Sequence, residues 1–409
     1  MSLESLLRVR PTILHVDLDA VQHNVRTLSR AAGGTPVLAV VKANAYGCGV
    51  LPVTRAVLDG GADWLGVAVV SEGIQLRLAG IEAPILLLGP AGVEQCGDII
   101  DSDLTAAVFG VRFLRALQGA ARLRDVTVRA HLKVDSGMGR LGARPEELPD
   151  LLEAWSKAPN VRLEGVFSNL ASADAPQSPQ NSLQVERFRD MVKTIRQSGF
   201  RPRWLHLANT ATLLTREDAH LELVRPGLSL YGMRPSDQVP DPGLRQALTL
   251  QTRLVQLKEV PSGIPIGYGG AFVTRAPTRI GILPLGYGDG LPRGLSGEGY
   301  VLFHGRRCPI AGRVSMDLTA VDLGPEGPGA EGDAVTLWGE EGGESLSPLD
   351  WARWMDTIPY EVISGISARV ARCYLRKGET LIGWPLDADP DASRRICAKR
   401  SSRSPLLGC

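Results

Sequence analysis

The sequence predicts an α/β fold, a (β/α)8 TIM-type barrel followed by a C-terminal all-β domain, and three observations carry the prediction. Its 409 residues allow two or three domains at roughly 150 residues each. Between about Val37 and Tyr231, eight short apolar runs alternate with amphipathic stretches. After about Leu244 the texture changes to short β-rich segments separated by Gly and Pro turns. Repeated strand and helix units imply a parallel sheet covered by helices, and eight of them imply closure into a ring. On pattern alone, a doubly wound open sheet stands as the alternative.

In chain order, Ile13 to Val16 reads as a strand and Leu18 to Ala31 as a helix. That strand is one too many for an eight-stranded ring, so residues 1–36 are a lead-in whose strand is a candidate to join the C-terminal domain. The eight runs are Val37 to Val41, Trp64 to Val69, Ile85 to Leu88, Thr105 to Val108, Val128 to Val134, Val161 to Ser168, Arg203 to Leu207 and Leu221 to Leu230. Helical patterns with apolar residues three and four apart lie between them at Val70 to Ala79, Val111 to Ala121, Leu148 to Trp155 and Val185 to Ser198. These make a barrel over 37–244. Pro235, Pro240 and Pro242 mark a linker, and a β domain over 245–386 follows, with strands expected at Leu248 to Val260, Thr278 to Leu285, Tyr300 to Phe303, Leu318 to Val321 and Ala334 to Trp338. Residues 387–409 set Arg394, Arg395, Lys399, Arg400 and Arg403 among serines and read as a flexible basic tail.

Composition narrows the function. With 44% hydrophobic and 22% charged residues and a net charge of +1, the chain has the make-up of a folded enzyme and no field to draw it to nucleic acid or a membrane surface. Its six cysteines are scattered, with no CxxC and no Cys/His cluster, so no metal site is expected and the thiols read as reduced. No apolar run reaches the roughly 18 residues of a membrane helix, and Met1 to Pro11 lacks a secretory core. The expected address is cytoplasmic.

The chemistry gathers around VVKANAYGCG, residues 40–49, where a run of small and β-branched residues ends in Lys42. Barrel strands deliver their last side chains to the face that carries active sites. An amine at the end of a buried run loses its proton more readily and can condense with an aldehyde. Taken alone, such a lysine also suits an edge cap or an ion pair. Tyr46, with Gly47 and Gly49 freeing the backbone, suits an anion nearby.

This segment resembles the cofactor-lysine motif of alanine racemases. The resemblance extends through KVDSGMGRLG (133–142), HLANTAT (206–212), VRPGLSLYG (224–232), IGYGGAF (266–272), PLGYGDGLPR (284–293), GRVSMD (312–317) and IPYEVISGISARVARCY (358–374). It implies a pyridoxal 5′-phosphate enzyme in which Lys42 holds the cofactor as an imine and is the base on one face of the substrate α-carbon. Tyr268 is implied as the base on the other face, contributed by the partner subunit. Two acid/base groups on opposite faces interconvert enantiomers, whereas one alone is stereospecific. Arg225 is implied to face the pyridine nitrogen, and Tyr46, Thr210, Tyr360 and the amides near Gly227 and Leu228 to hold the phosphate. Arg140 matches the arginine that grips the substrate carboxylate, and Lys133 the lysine that orients it, often as a carbamate. Tyr287 and Met316 match residues that a second subunit lends to the substrate, with Asp317 in support, so the resemblance implies a homodimer with shared sites.

Two positions depart from the family pattern. Asn169 stands where the family usually has a histidine linking the pyridine-facing arginine to the catalytic tyrosine, and an amide cannot change charge near neutral pH. The expectation is a neutral hydrogen-bond link in its place. Cys48 replaces a common histidine. The implied activity is alanine racemisation, supplying D-alanine for peptidoglycan. Alternatives are a serine or broader-specificity racemase, a non-catalytic pyridoxal-phosphate-binding protein, which would lack the β domain, and a decarboxylase, whose motifs differ.

Overall fold

A computed structural model describes residues 10–383. The basic tail expected over 387–409 and the start of the N-terminal lead-in lie outside the described residues. The chain divides into two compact units, one of residues 20–45 and 50–245, the other, among described residues, of 10–19, 46–49 and 246–383. No helix among the described residues is long and apolar enough to cross a membrane.

Strand β1 (Ile13–Asp17) leads into helix α1 (Leu18–Ala31), whose Leu18, Val21, Val25 and Leu28 recur at three and four residues and are all buried. Asp19 in its first turn and Arg30 in its last suit the helix dipole.

The first unit is a closed parallel ring. Strands β2 (Leu38–Val40), β3 (Trp64–Val67) and β4 (Ile85–Leu87) pair in parallel, as do β5 (Ala106–Val108), β6 (Val128–Lys133), β7 (Val161–Phe167) and β8 (Trp204–His206). Single bridges join Leu86 to Thr105, Asn209 to Arg225 and Val224 to Val37, and the last of these closes the barrel. Helices α2 (Val50–Asp59), α3 (Val70–Leu78), α4 (Cys96–Asp101), α5 (Val111–Leu123), α6 (Leu148–Ser156), α7 (Pro179–Gln197) and α8 (Thr210–Thr215) alternate with the strands. The wall is short-chained and dry: Val37, Leu38, Ala39, Leu65, Ala106, Ala130 and Val166 are fully buried.

The eighth run corrects the sequence reading. Leu221 to Leu230 is not a continuous strand: it pairs only at Val224 and Arg225 and then becomes a 3-10 turn, Leu228–Tyr231. Pro226 has no N–H to continue a ladder, although its carbonyl still accepts from Val40 at 3.0 Å. Leu248 to Val260 likewise divides into two strands.

The second unit is β-rich. Strand β1 lies between β9 (Leu248–Arg253), antiparallel to it, and a parallel neighbour near the end of the described chain. In β9 the residues alternate between buried and half-buried, the period-two pattern of a strand with one face on the core. The further strands are β10 (Gln256–Val260), β11 (Pro265–Ile266), β12 (Phe272–Val273), β13 (Thr278–Leu283), β14 (Tyr300–Phe303), β15 (Arg306–Pro309), β16 (Thr319–Asp322), β17 (Ala334–Glu341), β18 (Glu344–Leu346), β19 (Ala371–Arg376) and β20 (Glu379–Gly383). They form an eight-stranded sheet in the order β15, β14, β17, β9, β1, β19, β20 with β18 beside β17, a three-stranded sheet β10, β13, β16, and the hairpin β11, β12. Helix α9 (Pro348–Trp354) packs on it, with Trp351 edge-on to Trp338 at 4.8 Å between ring centres, and α10 (Pro359–Ser364) lies against α9.

Candidate active site

Directly after β2 and Lys42 the backbone enters the left-handed region and stays there. Ala43, Asn44 and Ala45 all have φ of 53° and Tyr46 has 58°. A left-handed turn costs an L-residue roughly 1 to 2 kcal/mol at each position, so the structure must hold this one in place. Glu72 does so from α3, accepting the Ala43 N–H at 2.6 Å through one carboxylate oxygen and the Ala68 N–H at 2.8 Å through the other. Asn44 accepts from the Val50 amide at 2.7 Å, Ala45 N–H donates to the Val41 carbonyl at 2.9 Å, and the fully buried Tyr231 hydroxyl donates to the Ala45 carbonyl at 2.6 Å.

The other predicted barrel residues also stand at or beyond strand ends. Lys133 is the last residue of β6, Asn169 lies just past β7, Thr210 opens α8 after β8, and Arg225 makes the single bridge to Asn209 in the eighth run. Arg140 sits in the loop after β6. Asp135 folds that loop by accepting the N–H groups of Gly137 (2.9 Å), Met138 (2.7 Å) and Gly139 (2.8 Å).

The electrostatics are those of a crowded cationic pocket. Partial desolvation, then the Arg140 guanidinium, lower the Lys42 amine although its side chain keeps an open face, and Glu72 opposes them. Lys133 is held down to about 7 by burial first and then by Arg225, Arg140 and Lys42, against Asp135. Arg225, only 4% exposed, is pulled by burial to about 9 and so stays a cation at neutral pH. It hydrogen-bonds to the Ser168 carbonyl (2.7 Å), the Leu207 carbonyl (3.4 Å) and His206 Nδ1 (3.1 Å); among the described residues it pairs with no carboxylate. Thr210 Oγ1 accepts the Gly227 N–H at 3.0 Å, which leaves the hydroxyl hydrogen for an incoming acceptor beside the start of the Leu228–Tyr231 turn.

Asn169 takes an unexpected partner. Its Oδ1 accepts from Lys133 Nζ at 2.9 Å, while the side chain bonded to Arg225 is that of His206. Lys133 Nζ also lies 4.2 Å from the centre of the Phe167 ring.

In the second unit, Tyr46 and Tyr360 face each other with ring centres 6.1 Å apart, and burial first, then Tyr360, push the Tyr46 phenol upward. Neighbouring Cys48 is buried, and its thiol is pushed up to about 12, which keeps it protonated near neutral pH. Tyr268 stands at the tip of the β11–β12 hairpin, 71% exposed, after Gly267 with φ of 72°. Tyr287 and Met316 are brought together: the Tyr287 N–H donates to the Ser315 carbonyl at 3.0 Å and the Gly288 N–H to the Met316 carbonyl at 2.9 Å. Asp289, fully buried, ties this loop by accepting from the Gly286 amide and pairing with Arg10 and Arg369, and Arg369 reaches on to Asp317 at 2.7 Å.

The sequence reading assigned no part to Glu72, Asp135, Tyr231, Asp289 or Arg369. Asp289 and Asp135 lie inside quoted motifs, PLGYGDGLPR and KVDSGMGRLG, where an acidic residue among glycines could have been taken as a loop tie. Tyr231 and Arg369 also lie inside motifs, VRPGLSLYG and IPYEVISGISARVARCY, without a neighbour in sequence that marks their bonds, and Glu72 lies in none.

Residues 16–235 match the family described as alanine racemase, N-terminal domain, and residues 247–374 the alanine racemase C-terminal domain. An alanine racemase of Symbiobacterium thermophilum is 42% identical over 373 residues, 91% of this chain and 98% of the relative. Among solved structures, the alanine racemase of D-cycloserine-producing Streptomyces lavendulae superposes with a TM-score of 0.86 at 38% identity, covering 90% of this chain and 97% of that one. The Bacillus anthracis alanine racemase with bound L-Ala-P gives 0.85 at 36% identity, covering 91% and 97%.

Proposed function

Because this chain belongs to the alanine racemase family, we propose that it interconverts L- and D-alanine by a two-base mechanism with pyridoxal 5′-phosphate, as a cytoplasmic homodimer supplying D-alanine for peptidoglycan. The observation that carries the reading is the cluster of Lys42, Lys133, Arg140 and Arg225 at the strand ends, with Arg225 buried among carbonyls and an imidazole. A buried cation without a counter-charge is expensive, so such a pocket suits an anionic cofactor and a carboxylate substrate. The donor set fits the group: cations, hydroxyls and turn amides for a phosphate, an amine for an aldehyde.

When bound, the cofactor supplies an aldehyde that captures amines and a ring that draws electrons from the substrate α-carbon. Lys42 anchors it and moves the α-proton on one face, with its lowered proton affinity suited to that exchange. Tyr268 of the partner subunit does the same on the other face. Arg225 would face the ring nitrogen, and as a group that does not yield its proton it would leave that nitrogen without one. Tyr46, Thr210, Tyr360 and the Gly227 and Leu228 amides hold the phosphate. Arg140 grips the substrate carboxylate, with Lys133 and Asn169 behind it. Tyr287 and Met316 close the partner's side, supported by Asp317. Exposures of 71%, 44% and 53% for Tyr268, Tyr287 and Met316 are those of side chains free to complete a neighbour's site.

The test is to load the purified chain with pyridoxal phosphate and follow loss of handedness from single-enantiomer amino acids. Alanine should racemise and Lys42→Ala should abolish it. Cofactor uptake without racemisation of any amino acid, or normal turnover by Lys42→Ala, overturns the proposal.

A further inference from the structure

Behind Arg225 the barrel encloses a polar chain to which the roles above give no task. Arg225 Nη1 lies 3.1 Å from His206 Nδ1, His206 Nε2 lies 2.9 Å from His131 Nδ1, and His131 Nε2 faces Glu164 Oε2 at 3.8 Å. Both imidazoles are fully buried. A guanidinium only donates, so His206 Nδ1 accepts and the His206 proton sits on Nε2. That proton goes to His131 Nδ1, which leaves the His131 proton on Nε2, aimed at the carboxylate. The obligate donor at one end gives the two hydrogen bonds their direction, and the carboxylate facing His131 Nε2 at the other end favours the same sense over the reverse.

The rings are held in these orientations. Phe167 stacks on His206 with centres 4.9 Å apart and planes 4° from parallel. A Cβ at Gly165 would fall 2.7 Å from the His131 ring, so that ring fills space which only glycine leaves on β7. His131 Nε2 and Glu164 Oε2 have no other hydrogen-bond partner among the described residues, and an approach of about 0.8 Å would close an ordinary bond between them. Burial lowers both imidazoles, His206 well below its usual value, so neither takes a second proton near neutral pH.

We propose that Glu164 and His131 are positioning residues: through His206 they hold Arg225 as a one-way donor facing the cofactor ring. In the other His206 tautomer, N–H would meet N–H and push the guanidinium aside. The link to catalysis rests on the role of Arg225 proposed above, but the relay is measurable without cofactor.

The experiment labels the histidines of the full chain with nitrogen-15 and reads their tautomers by NMR, without and with pyridoxal phosphate, in the unaltered chain, Glu164→Gln and Glu164→Leu. His131 and His206 are expected as single neutral Nε2–H tautomers. Glu164→Gln, which keeps an acceptor oxygen, should preserve them. Glu164→Leu should give a tautomer mixture at His131 and a shifted cofactor absorption spectrum. A packing role alone would leave the tautomers unmoved. A proton on His206 Nδ1 in the unaltered chain, or single tautomers surviving in Glu164→Leu, overturns the relay. Correct tautomers in a chain that takes up no pyridoxal phosphate instead overturn the role given to Arg225.

Discussion

Tyr231→Phe isolates what holds Lys42 in place. The Tyr231 hydroxyl donates to the Ala45 carbonyl at 2.6 Å, and both residues are fully buried. Phenylalanine keeps the ring's packing and leaves that carbonyl unpaired, which costs about 1 to 3 kcal/mol. The loss falls on a turn that already carries strain: four left-handed residues at about 1 to 2 kcal/mol each amount to roughly 4 to 8 kcal/mol. The Glu72, Asn44 and Val41 bonds would then carry more of the load against its relaxation. If the turn relaxes in the free chain, cofactor binding must restore it, and about 1 to 3 kcal/mol corresponds to an affinity loss of roughly five- to 150-fold. The assay is titration of the free chain with pyridoxal phosphate, alongside urea unfolding, with Tyr300→Phe on strand β14 as control. Unchanged affinity and an unchanged urea midpoint in Tyr231→Phe would refute the claim that this bond secures the turn.

Two further outcomes follow from the same pocket. Asp135→Ala removes the acceptor for three loop N–H groups and should raise KM for alanine about tenfold or more, with a smaller effect on kcat, because Arg140 loses its fixed approach to the carboxylate; steady-state kinetics reads the split. Lys133 releases its proton near 7 when folded and near 10.5 when unfolded, so the folded chain binds fewer protons between those values and stability rises with pH across that window. Lys133→Met should therefore stabilise the protein most at about pH 6 and least at about pH 10, as compared by urea midpoints.

Elements written in local pattern were legible in the sequence. Helix α1 begins and ends where its apolar spacing does, and β14 spans the expected Tyr300 to Phe303. The strand at Ile13, judged surplus to the ring, pairs with β9 and β19. The eighth run misled because its hydrophobicity continues past Pro226 while its hydrogen bonding does not. The left-handed turn was hidden because its residues are Ala, Asn, Ala and Tyr, with glycine arriving only afterwards, and the bonds that hold it come from positions far along the chain. Asn169 shows the same limit. Its type marked it as a departure from the family pattern, but its bond to Lys133, 36 residues earlier, is a product of neighbouring strands and not of spacing.

The central claim is that two groups, Lys42 and Tyr268, serve opposite faces of one α-carbon, and hydrogen exchange tests it most directly. Each enantiomer of alanine is incubated in deuterated water with the loaded chain and with Tyr268→Phe, and deuterium at the α-carbon and handedness are followed together. The account predicts that the unaltered chain exchanges and inverts both enantiomers, whereas Tyr268→Phe stops inverting yet still exchanges one of them. Inversion by Tyr268→Phe at the unaltered rate would contradict it.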